Sequence, residues 1–157
     1  MVAVEALRLM TWQELELRVC GRVTVDLDLL REMTVYRTGF TPSTPVVNYF
    51  WEALHRATEE QRAAFLRFVW GRSRLPLTAA EFPRSFAMQP RTVPEHSDPD
   101  RALPVAHTCF LSIDIPPWTS ADVAFERLMY AVENSFAIDS DQIATPPAAD
   151  WTGGQWL

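Results

Sequence analysis

Apolar residues recur at helical spacing in five stretches of this chain and alternate with polar ones in a sixth. Over residues 11–20, Trp12, Leu15 and Val19 form one stripe, and Gly21 follows as a C-terminal stop. Residues 2–10 are apolar enough to pack but carry no start signal. Residues 26–33 predict a second short helix, with Asp26 and Asp28 where the helix dipole favours negative charge. A loop over 36–43, marked by Gly39 and Pro42, leads to Thr44 and Pro45 at the N-cap and first position of a third helix. Val46, Val47, Phe50, Trp51 and Leu54 are its apolar face. Thr58 and Gln61 predict a capping box for the fourth helix, with Phe65, Leu66, Phe68 and Val69 inward and Gly71 at its end. The short link between these two helices predicts a packed hairpin. Ser120 caps a fifth helix running to about residue 134, with Val123, Ala124, Leu128, Ala131 and Val132 inward.

The remainder is punctuated by proline. Residues 72–101 hold Pro76, Pro83, Pro90, Pro94 and Pro99, and only Phe86-Ala87-Met88 is strand-like. Residues 94–100 read as an exposed loop. Over 109–115, Cys109, Leu111, Ile113 and Ile115 alternate with Phe110, Ser112 and Asp114, the pattern of a half-buried strand that Pro116-Pro117 ends. From residue 138 onward, Pro146, Pro147, Gly153 and Gly154 suggest a mobile tail, although Trp151 and Trp156 are unusual in a solvated segment. Helices, then strands, then a helix give an α+β fold, with helices packed on a small mixed or antiparallel sheet.

Composition narrows the function. The 157 residues make about one domain, and 48% hydrophobic with 22% charged residues suit a globular protein. No apolar run reaches the roughly 18 residues that span a bilayer, and the N-terminus shows no secretory signal. A net charge of −6 argues against nucleic acid as a partner. Two cysteines, Cys20 and Cys109, make no disulfide framework and favour a reducing compartment, cytoplasmic with the nucleus left open. Those cysteines and the three histidines show no metal-ligand spacing, so no metal or cofactor is expected. All 14 cations are arginine. Base composition explains that bias, but its consequence stands: no internal lysine amine can attack an acyl group held on this chain.

Cys109 is the candidate chemical centre, since it follows a polar, proline-marked loop. Three readings are open. It is a small apolar residue on the inner face of a strand. Or it is a hydrolase nucleophile paired with His107, whose side chain points the same way if the segment is extended, although no oxyanion loop or third member accompanies the pair. Or it carries an acyl group as a thioester, passed on from another thiol. Such exchange is nearly thermoneutral and needs access more than a strong base.

Motifs in order along the chain add a resemblance. Trp12-Gln13-Glu14-Leu15 with Cys20-Gly21, the segment 26–36, and Phe50-Trp51-Glu52 come first. Glu59-Glu60-Gln61 with residues 65–69 and Gly71, then Arg74-Leu75-Pro76 and Leu103-Pro104, follow. His107-Thr108-Cys109-Phe110 and Ile115-Pro116 complete the set. Over residues 11–140 the chain resembles the C-terminal lobe of HECT-type ubiquitin ligases. Residues 68–80 and 138–141 are most similar to the large HERC branch.

The resemblance implies a ubiquitin-ligase lobe holding ubiquitin as a thioester on Cys109 and passing it to a substrate lysine. His107, Thr108 and Phe110 would shape the loop, with His107 orienting or capping it. Phe110, Leu103 and Pro104 would act mostly through packing and turn formation. Asp114 would steer an incoming amine or stand as a solvated strand-face acid. Phe50 and Trp51 would be core. Residues 1–20 would be the remnant of the N-lobe's last helix, 21–22 the hinge, 23–140 the C-lobe and 141–157 a flexible tail. Partners would be ubiquitin, a protein substrate and a ubiquitin-conjugating enzyme bound through a missing N-lobe. The chain would then be a fragment or a stand-alone lobe, poorly active alone. Phe136 lies near the register of the family's terminal phenylalanine, but 21 residues follow it. The alternative is a non-catalytic module that only docks ubiquitin or another protein.

Overall fold

The computed structural model describes residues 24–140 together with Thr11, Trp12 and Glu14, with side chains as far as Ser135. Trp12 and Glu14 are helical, but most of the helix expected over 11–20, the hinge at 21–22, the tail over 141–157 and the side chain of Phe136 lie outside the described residues.

Asp26 begins α1 (Leu27–Glu32), its carboxylate accepting the Leu29 N–H at 3.0 Å. Leu27 and Leu30 face the core. The chain passes directly into β1 (Thr34–Tyr36), a strand that the hydrophobic pattern does not announce because it is only three residues long. The Thr34 hydroxyl fastens this junction by donating to the Leu30 carbonyl at 2.7 Å. Part of the segment expected as loop is therefore strand.

The next two helices match their sequence signals closely. α2 (Pro45–Arg56) buries Val46, Val47, Phe50, Trp51 and Leu54 as expected. Thr44 stands at its N-cap, yet the hydroxyl accepts from the Thr41 N–H at 2.9 Å and caps nothing in the helix. α3 (Glu59–Trp70) opens with the predicted capping box: Thr58 Oγ1 accepts from the Gln61 N–H, and Gln61 Oε1 from the Thr58 N–H. It closes on Gly71, whose φ of +73° is the left-handed conformation glycine adopts without steric cost. Phe65, Leu66 and Val69 are buried, while Phe68 is half-buried.

The expected hairpin of α2 and α3 does not form as a close antiparallel pair. They meet at their junction, where Arg62 donates to the carbonyls of Leu54 and His55, and through the edge-on rings of Phe50 and Phe65, 5.7 Å apart. The helix that lies along α2 is instead α4 (Ala121–Ser140). Ser120 begins α4 as predicted, accepting from the Val123 N–H, but the helix continues past residue 134 to Ser140.

β2 (Phe86–Pro90), β3 (Val105–His107) and β4 (Ser112–Ile115) complete a mixed sheet in the order β1-β2-β4-β3. β1 runs parallel to β2, β2 parallel to β4, and β3 antiparallel to β4. Phe86, Ala87 and Met88 are all buried, so both faces of β2 are covered there. Edge-on aromatic contacts link α2 to α3 to β2 through Trp51, Phe50, Phe65 and Phe86. The architecture is α+β, as the order of elements predicts.

Candidate active site around Cys109

The segment expected as one strand over 109–115 is two structures. β4 begins only at Ser112, and Thr108–Phe110 is a turn of 3-10 helix hung between β3 and β4. The change falls at Leu111, whose φ of +49° and ψ of 57° put a non-glycine residue in the left-handed region. Its side chain is 1% exposed and its carbonyl accepts from the Ala87 N–H of β2 at 2.9 Å. A left-handed residue costs roughly 1–2 kcal/mol, whereas burying a leucine gains roughly 1.5–3 kcal/mol. Burial wins, and the turn is pinned at its exit.

This geometry bears on two of the three readings of Cys109. The thiol is free and exposed, so it is not an apolar residue on the inner face of a strand. Nor does an extended chain aim His107 and Cys109 the same way, because the turn intervenes. Phe110 is 66% exposed, which corrects its expected packing role; Pro104 is buried and Leu103 half-buried, as packing residues are. Thr108 is exposed.

His107 makes no side-chain capping bond to the turn that it precedes. Its Nε2 instead lies 3.1 Å from Asp114 Oδ2 across the β3–β4 pair. Asp114 is therefore not simply a solvated acid: its side chain is 22% exposed and its Oδ1 accepts from Gln89 Nε2 at 2.8 Å.

Arg84 and Gln89 touch this site without being foreseen. Arg84 Nη1 donates to the Cys109 carbonyl at 2.7 Å, tying the turn to the loop that leads into β2. Nothing in the proline-rich stretch singles out that arginine, and Gln89 becomes relevant only through strand register, which residue type does not encode. α3 supports the assembly from below by lying against β3, the turn and β4.

Among the described residues no group of histidine, cysteine or acidic side chains is gathered for a metal ion, and no helix is long and apolar enough to cross a membrane. What remains is an exposed cysteine in the turn after β3, with His107 and Asp114 hydrogen-bonded to each other on the two strands that the turn joins.

Comparison with known proteins places this arrangement in a family. Residues 1–138 match the HECT-domain (ubiquitin-transferase) family. The E3 ubiquitin-protein ligase HERC2 of Mus musculus is 39% identical over 155 residues, which is 95% of this chain and 3% of that protein. NEDD4 of the same organism, also an E3 ubiquitin-protein ligase, is 36% identical over 140 residues, 88% of this chain and 16% of its own length. The E3 ubiquitin-protein ligase HECW2 of Mus musculus is 37% identical over 129 residues, covering 78% of this chain and 8% of its own. The chain thus spans a small part of each relative, and it belongs to the HECT-domain, ubiquitin-transferase family.

Proposed function

We propose that this chain is the catalytic C-lobe of a ubiquitin ligase that carries ubiquitin as a thioester on Cys109. The observation behind this reading is the exposed thiol in the turn Thr108–Phe110. The Cys109 thiolate attacks the thioester carbonyl of a charged conjugating enzyme. A new C–S bond forms, the old one breaks, and the enzyme's thiolate leaves. A neutral lysine amine of the substrate then attacks, forming an amide and releasing Cys109. Neither step finds a competing lysine within the chain.

Supporting roles fall to the neighbours. Thr108 lies in the turn, and Arg84 holds its backbone. Phe110 and Val105, 66% and 37% exposed, give ubiquitin an apolar surface beside the sulfur. Asp114 fixes His107. In this reading residues 1–20 are the end of the N-lobe's last helix, 21–22 the hinge, 23–140 the lobe and 141–157 a tail. The conjugating enzyme docks through an N-lobe. A free thiol suits the reducing cytoplasm.

The test avoids the N-lobe. A ubiquitin C-terminal thioester of a small thiol exchanges directly with an accessible cysteine. Incubated with it, the chain acquires a thiol-sensitive ubiquitin adduct that Cys109→Ala abolishes. An adduct that survives the substitution overturns the assignment. Ubiquitin binding without any adduct favours the docking-module reading. Release of free ubiquitin from a ubiquitin chain favours a hydrolase.

A further inference from the structure

The side chains of Gln89, Asp114 and His107 form a continuous hydrogen-bonded row across three strands that ends next to the reactive turn. We propose that Gln89 and Asp114 are positioning residues that hold His107 as the general base for the amine that discharges Cys109. The proposal rests on the thioester reading above and deepens it.

Register produces the row. Gln89 of β2 lies directly across from Asp114 of β4. His107 of β3 pairs with Ser112, which shares a face of β4 with Asp114. The histidine therefore reaches diagonally over a small serine to the carboxylate. Both carboxylate oxygens are engaged, Oδ1 by Gln89 at 2.8 Å and Oδ2 by His107 at 3.1 Å. Asp114, with a side chain 22% exposed, is fixed from one side so that it fixes the ring on the other.

The chemistry follows from what each group can donate. A carboxylate only accepts, so Nε2 carries the hydrogen of the neutral ring and Nδ1 carries the lone pair. No other described residue hydrogen-bonds to this ring, and its side chain is 41% exposed. Cys109 follows two residues later, a stretch of chain that spans at most about 7 Å. An amine approaching a thioester on Cys109 thus arrives beside an oriented base.

In the discharge step the amine nitrogen bonds to the carbonyl carbon and the C–S bond breaks. Nδ1 takes the proton that the nitrogen sheds, and the departing thiolate recovers it from the imidazolium. Thioester and amine become amide and thiol, with nothing else consumed. Loading differs: one thiolate replaces another, so no proton moves while the acyl group is transferred. The row therefore acts mainly on discharge, whereas a merely structural role would slow both steps alike.

The chain is loaded from a ubiquitin thioester of a small thiol and then chased with free lysine. In His107→Ala discharge slows about a hundredfold and added imidazole restores it, while loading falls far less. Gln89→Leu slows discharge about fivefold. Combined with His107→Ala it slows discharge no further, because both act through one ring. Parental discharge in His107→Ala overturns the proposal. So does a failure of imidazole to restore it, an equal fall in loading and discharge, or additive losses in the double variant. Absence of any adduct on the unsubstituted chain instead removes the thioester reading itself.

Discussion

Residues 86–88 lie in β2 and residues 108–110 in the turn between β3 and β4, and the first three are buried whereas the second three are exposed. Phe86, Ala87 and Met88 contribute to stability through packing on both faces of β2. Thr108, Cys109 and Phe110 are exposed and contribute almost nothing to the core. Leu111 divides them, buried by its side chain and left-handed in its backbone. The lesson is that packing and exposure fall on separate residues here, joined at Leu111 with its left-handed backbone. A thiol that must exchange partners needs access and a steady seat, and packing supplies only the seat.

The sharpest break in this comparison is Cys109→Ala. Ubiquitin loading falls to nothing, while the thermal midpoint stays where it was, because an exposed side chain has little packing to lose. A substantially lowered midpoint would show that the sulfur is part of the core after all. Phe86→Ala inverts the pattern. Phe86 is 0% exposed and packs edge-on against Phe65, so its truncation costs about 3–5 kcal/mol in denaturant unfolding. Loading per folded molecule is unchanged, provided that the two regions are separate as argued.

Leu111 permits a finer experiment. Leu111→Ala removes a buried side chain but keeps the unfavourable φ, and costs about 3 kcal/mol. Leu111→Gly removes the same side chain and relieves the backbone. In an ordinary strand glycine is worse than alanine by roughly 0.5–1 kcal/mol. Here glycine costs no more than alanine, which parallel urea titrations of the two variants would reveal. Glycine clearly worse than alanine would mean that the left-handed turn is not where strain resides.

That residue also explains how far the sequence could be read. The helices were legible because their signals are local: the Thr58–Gln61 capping box, Pro45 after Thr44, and Gly71 at the end of α3 each act within a few residues. The break before β4 was not legible, since Cys109, Leu111, Ile113 and Ile115 alternate as in a continuous strand and no glycine marks the left-handed position. Tertiary burial of Leu111 overrides the local pattern. β1 was hidden by its length, and the close packing of α2 with α4 was hidden because it is non-local. At the site, Cys109 and His107 stood out by residue type, and Asp114 through the family resemblance. Arg84 and Gln89 did not, because loop contact and strand register bring them in.

The faintest test concerns α3, the helix that backs both regions. Glu60 in its first turn is held below the ordinary carboxylate range, first by a backbone N–H bond and then by the Thr58 hydroxyl, with burial opposing slightly. A carboxyl whose folded value is lowered stabilises the native state once the pH exceeds its unfolded value. That contribution disappears as the pH falls through the lowered folded value. Glu60→Gln should therefore be less stable than the parent at about pH 7 and converge on it as the pH falls through the lowered value of Glu60, where both side chains become neutral. The loss at neutral pH is smaller than that of any core substitution above, because the group is fully solvated. A variant as stable as the parent at neutral pH would show that the first-turn charge does not help hold α3. The helix would then rest on the Thr58–Gln61 box and on its buried face alone.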